Sequence, residues 1–210
     1  MADNKLDYKK EYKDLYLPKE KPMFIKIPPI NFIMVDGKGA PEGEEYQSAL
    51  QILYSLSFTI KMAKGSNRPD GYFEYVVPPL EGLWWVKGDD FYSASRSEWL
   101  WTSMIRQPEF VTDSVFEWAI NESLKKKPGL EVKRARLQSF DEGTCVQIMH
   151  IGSYSDEKRS IDKILKYIDE SGFVNLTGSV HKHHEIYLSD PKKTQADKLK
   201  TVIRLPVKVK

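Results

Sequence analysis

Two short stretches, far apart in the chain, carry nearly the same pattern. Ala49-Leu-Gln-Ile-Leu53 matches Ile161-Asp-Lys-Ile-Leu165 at an offset of 112, residue 161 against residue 49. Phe73-Glu74-Tyr75 matches His184-Glu185-Ile186 at 111, residue 185 against residue 74. Near-equal offsets for a helical and an extended match mark a duplicated unit. The flanking residues give its make-up. Strand-forming runs at Met23–Ile27 and Asn31–Asp36 precede a helical pattern from Glu44 to Ala63, with Tyr46, Ala49, Leu50, Leu53 and Tyr54 at helical spacing. Strands over Tyr72–Val77 and Leu83–Val86 complete a β-α-β-β module. In the second copy Arg134–Phe140 and Thr144–Ile151 are strands, Asp156–Ser171 is a helix with Ile161, Ile164, Leu165 and Ile168 on one face, and His181–Leu188 and Thr201–Val207 close the chain.

The expected architecture is α+β. Duplicated β-α-β-β modules form one mostly antiparallel sheet, with helices on one face and a ligand groove on the other. Residues 1–21 read as a charged, Tyr-bearing arm, 22–88 as repeat one, 89–130 as a helical insertion and 131–210 as repeat two. The insertion holds an aromatic cluster of Phe91, Tyr92, Trp99 and Trp101. Its helix is expected to open on Ser114-Val-Phe-Glu117, a capping-box pattern, and to close on Lys125-Lys-Lys-Pro-Gly129.

Within repeat two the run from His181 to Leu188 places a carboxylate in the middle of a strand. Side chains alternate along a strand, so His181, His183, Glu185 and Tyr187 share one face and His184, Ile186 and Leu188 the other. Mid-strand acids are disfavoured and costly to bury unpaired. Either solvent bathes that face or Glu185 is enclosed for a purpose. The repeat makes Glu74 and Glu185 pseudo-symmetric positions on a concave, aromatic-lined groove, the usual form of a small-molecule site.

Composition narrows the function classes. A formal net charge of +2, with basic residues spread along the chain, leaves no footprint for nucleic acid. The single cysteine, Cys145, rules out an internal disulfide, suits a reducing compartment and lies in an apolar run as a small core residue. The amino terminus lacks the apolar stretch of a signal peptide, and no run is long enough to cross a membrane. A cytoplasmic protein with a small-molecule aromatic ligand and no cofactor is expected.

Three chemistries can use the face of Glu185. As a general base it activates water against an electrophilic carbon, while Tyr187 or Tyr154 donates to the carbonyl that gains charge; an apolar, aromatic setting makes a carboxylate more basic. Trp85 and Trp101 then supply flat stacking surfaces, with Tyr75, Glu74 and His183 as further ligand contacts and Trp84 and Trp118 as core. Alternatively the groove only binds, with Glu185 as counter-ion and aromatic faces attracting a cation. The third reading, zinc on His181, His183 and Glu185, needs ligands from elsewhere, and His150 is the one histidine outside this run; no metal is assigned.

Tyr12-Lys-Asp-Leu-Tyr16, Asp36-Gly-Lys-Gly39, His150-Ile-Gly-Ser-Tyr154 and above all Glu185-Ile-Tyr-Leu-Ser-Asp-Pro191, together with the duplication, resemble the GyrI-like small-molecule-binding family. The resemblance runs from about Tyr8 to the end of the chain. It implies a duplicated β-α-β-β fold. In multidrug-sensing members a glutamate on the corresponding strand sits in an aromatic pocket for bulky, often cationic drugs, the role it gives Glu185. Some stand-alone members are similar to hydrolases that open the cyclopropane ring of alkylating toxins with that glutamate and nearby aromatic residues. The DNA-binding half of the regulators is missing here, which favours sequestration or detoxification.

Overall fold

A computed structural model describes residues 5–88, 94–178 and 181–210; the expected cluster members Phe91 and Tyr92 lie outside the described residues. Strands β1 (Met23–Ile27), β2 (Ile30–Lys38), β3 (Leu80–Trp85), β4 (Leu100–Arg106), β5 (Arg136–Phe140), β6 (Gly143–Ile151), β8 (His183–Tyr187) and β9 (Lys200–Val209) form one antiparallel sheet. Their order is β1-β6-β9-β8-β3-β4-β2-β5, and the short β7 (Phe173–Asn175) pairs with β9. The order is palindromic about the β8–β3 junction, as a duplication requires.

Two short links bend this sheet. β1 and β2 stand six places apart in the order, about 29 Å across a flat sheet at ~4.8 Å per strand. Ile27 and Ile30, however, are separated only by Pro28-Pro29, at most about 11 Å of chain. The β5–β6 link imposes the same constraint from the other end. The sheet therefore curls, and side chains from distant strands meet inside the curl: Ile27, Phe32, Met34, Leu83, Met104 and Cys145 form one buried cluster.

The amino-terminal arm, with short helices α1 (Tyr8–Glu11) and α2 (Lys13–Tyr16), closes over this inner face. Tyr16 donates to Glu81, and Arg204 and Gln147 donate to the carbonyls of Leu15 and Asp14. The inner face is thus occupied by the protein itself.

The outer face carries α3 (Glu44–Lys61) and α5 (Lys158–Glu170). Glu44 and Glu45 in the first turn of α3 complement the helix dipole, and Tyr46, Ala49, Leu53, Leu56 and Ile60 bury one stripe against the sheet. On α5 Ile161, Ile164 and Ile168 do the same, whereas Leu165 is turned outward. Helix α4 (Asp113–Lys126) packs on α3. Its cap is Thr112, whose hydroxyl accepts from the Val115 amide, two residues before the expected box at Ser114.

Three expectations change. The segment 89–130 is not wholly helical, because β4 lies within the sheet between β3 and β2. Tyr72–Val77 is no strand; there only Tyr75 makes an isolated bridge, to Leu6. Glu74 is consequently off the sheet, and the repeat-one residue directly opposite Glu185, on β3, is Gly82. Periodicity alone misplaced these because loops of unequal length separate helix and strand in the two copies.

Candidate functional site

The register puts His183, Glu185 and Tyr187 of β8 on the same face as Gly82 and Trp84 of β3, Trp101 and Ser103 of β4, and Thr201 of β9. That is the outer face, where Tyr46 of α3 and Glu157 at the start of α5 reach toward the same spot. Gly82 makes the hollow. A Cβ there would come within 2.8 Å of Trp84 Nε1 and 3.0 Å of the Tyr187 hydroxyl.

Through the space that Gly82 leaves, Trp84 Nε1 donates to the Tyr187 hydroxyl at 2.8 Å, and that hydroxyl donates to Glu185 Oε2 at 2.8 Å. His183 Nε2 stands 3.0 Å from Glu185 Oε1, so the ring places its proton on Nε2 to donate to the carboxylate. Chained donors of this kind polarise one another. Burial, followed by the charge of Glu185, pushes the Tyr187 phenol well above its ordinary range. Tyr46, facing Ser103, Glu185 and Tyr187, is raised first by its burial, and Tyr154 is pushed up to about 12 by burial and the neighbouring carboxylates. All three phenols therefore stay neutral donors at physiological pH.

Access is from the side of Tyr154, which is 40% exposed and meets the Tyr187 ring edge-on at 6.0 Å. Glu185 retains 13% of its side-chain exposure. Glu157 is buried, its carboxyl pushed up to about 10 by desolvation and then by the charge of Glu185. One polar atom each from Glu157, His183 and Glu185 lie within 4.8 Å of one another. As arranged, His183 and Tyr187 each donate to one oxygen of Glu185.

Of the residues singled out from sequence, Glu185, Tyr187, Tyr154 and His183 come together. Trp85 does not join them: alternation turns it to the inner face, into the cluster with Leu83 and Met104, with Lys182 4.2 Å over its ring. Trp101 is on the correct face but fully buried. Its Nε1 donates to the Gly39 carbonyl and its ring meets Tyr46 edge-on at 5.0 Å, so it supports Tyr46 from behind. Tyr75 is buried against Phe73 and Phe110. Glu74 is held by Lys61 at 2.6 Å and Arg68 at 2.8 Å. Sequence reading missed Tyr46, Gly82, Trp84 and Glu157. The strand alternation that selected Tyr187 would have selected Trp84 over Trp85 had the β3 register been known; Glu157 carried no signal beyond a helix-surface charge.

The sequence profile of the GyrI-like small molecule binding domain matches residues 20–208. The chain belongs to the GyrI-like family. Among solved structures, this GyrI-like protein is similar to an uncharacterized conserved protein from Listeria innocua (52% identity, TM-score 0.94, 97% of this chain and 100% of that chain covered). It is also similar to a protein from Listeria innocua described as a hydrolase (50% identity, TM-score 0.90, with the same coverage). The EcmrR C-terminal domain shares the fold at 12% identity, with a TM-score of 0.53 over 90% of this chain and 98% of that chain. A search of curated proteins gives no match.

Proposed function

We propose that this GyrI-like protein is a cytoplasmic hydrolase of planar aromatic electrophiles that carry a strained ring, of the cyclopropanoid type. The observation that carries the reading is Glu185: a carboxylate fixed at both oxygens by His183 and Tyr187, yet open on the side of Tyr154. A flat substrate stacks against the rings of Tyr154 and Tyr187. Glu185 takes a proton from water as the oxygen bonds to the ring methylene. The carbon–carbon bond breaks, its electron pair moves into the conjugated carbonyl, and the oxygen formed there accepts a hydrogen bond from a phenol of Tyr154 or Tyr187 before protonation from solvent. Relatives at about half identity described as hydrolases support turnover.

A second reading has its own observation. One carboxylate among the rings of Tyr46, Tyr154 and Tyr187 suits a cationic aromatic ligand held without reaction. Incubation with a cyclopropane-fused dienone, followed by mass spectrometry, separates the two. Hydrolysis adds one water, and Glu185→Gln lowers that rate by roughly 10² to 10⁴. Recovery of unchanged compound from the parent protein would leave the binding reading.

A further inference from the structure

Glu157 is the one buried carboxyl at this site to which the reaction above gives no part. It projects from the start of α5 into the space behind Glu185 and is 7% exposed. Its Oε1 has no hydrogen-bond partner. The groups that bear on it are Glu185 and the Thr201 hydroxyl of β9. Those that bear on Glu185 in turn are His183 and Tyr187 of β8, Tyr46 of α3 and Tyr154 of the turn before α5. Two carboxylates this close in a desolvated place repel each other, and a hydrogen bond between them exists only when one carries a proton.

We propose that Glu157 and Glu185 work as one proton-sharing pair, in which Glu157 is a positioning residue that holds the proton and donates it in a hydrogen bond to Glu185. This rests on the reading of Glu185 as the reacting carboxylate. The more buried member keeps the proton, because charge costs most where water is scarcest; Glu157 is accordingly raised to about 10. Glu185 then has donors from three residues, His183, Tyr187 and Glu157. Across the neutral range the pair carries a single negative charge. Once Glu157 ionises, the donor becomes a second acceptor that repels Glu185 out of position.

Two measurements on the full chain test this. With carboxyl-¹³C-labelled glutamate, NMR of the parent shows one glutamate still protonated at neutral pH and titrating near pH 10, and that signal is missing from Glu157→Gln. With the dienone probe, parent turnover falls on the alkaline side over the same range. Glu157→Gln, whose amide still donates but cannot ionise, keeps neutral turnover within roughly threefold and loses the alkaline fall, whereas Glu157→Ala loses at least about tenfold at neutral pH. The proposal is overturned if every glutamate of the parent is ionised at neutral pH, if the protonated signal survives in Glu157→Gln, if that variant keeps the parent's alkaline limb, or if metal analysis finds a stoichiometric ion in the site. A parent that shows the protonated signal but never converts the probe would refute hydrolysis while leaving the pair intact.

Discussion

His184 and Glu185 are neighbours on β8 and belong to different parts of the molecule, because alternation sends one side chain inward and the other outward. Inside the curl His184 sits between Glu81 and Glu142, with ring nitrogens 3.0 Å from each, and Glu142 is bonded to Arg204 at 3.1 Å. Burial opposes the charge on His184, but Glu142 and Glu81 outweigh it and raise the ring to about 9. Burial would likewise raise Glu142, yet His184 and Arg204 bring it down to about 2. A raised histidine contributes stability that is complete below its unfolded value of 6.5 and lost as pH rises through about 9. The raised Glu157 acts in the same direction between 4.5 and about 10. The lowered Glu142 contributes above 4.5, and that part is lost as pH falls through about 2. Urea midpoints should therefore decline above neutrality and again in strong acid. His184→Ala, which leaves two buried carboxylates without their shared partner, should cost about 3 to 5 kcal/mol. A midpoint unchanged between neutral pH and pH 9 would remove His184 from this account. At this scale the sequence was informative about Glu185 and its face-mates, whose relation is fixed by the period of two. It was silent on Glu157, which meets Glu185 only through the docking of α5.

Elements show where sequence reading reached its limit. The repeat exposed α3 and α5 because each buries a regular apolar stripe, and β1, β2, β6, β8 and β9 because their runs are bounded by turns. β4 was hidden in a stretch whose tryptophans read as a cluster on an insertion, since a strand buried on both faces lacks the alternation that identifies it. That strand sets the site's rear wall. On the outer face the Trp101 ring lies against Gly37 of β2, which is directly paired with it, and a Cβ at Gly37 would overlap the ring atoms Cη2 and Cζ2. Gly37→Ala should therefore push Trp101 toward Tyr46, destabilise the fold by about 1 to 3 kcal/mol, and shift the Trp fluorescence of the folded protein. If it unfolds at the parent temperature with parent fluorescence, Trp101 has freedom that the packing denies it.

At the scale of the whole chain, the palindromic sheet order means that neither copy is complete by itself. The strand that opens repeat one, β1, pairs with β6 of repeat two, and β5, which leads into repeat two, pairs with β2 of repeat one. The ionic group inside the curl is divided in the same way. His184, Glu142 and Arg204 come from the second copy and Glu81 from the first, while the Tyr16 hydroxyl and the Leu15 carbonyl come from the amino-terminal arm that precedes it. A second half expressed from Leu130 onward would leave β6 with an unpaired edge, strip β8 of its β3 partner and open three buried charged groups to water. Ordinary domains are stable by only about 5 to 15 kcal/mol, so losses of this kind bear directly on whether the half folds. Cut at the exposed Lys127-Pro128-Gly129 turn, the two fragments should each lack a cooperative thermal transition alone and recover one when mixed in equal amounts, with the amide spectrum of the intact chain. Cooperative melting of the isolated second fragment would show that the exchanged strand and the shared charges are dispensable, and that the duplication is two domains side by side and not one fold assembled from both.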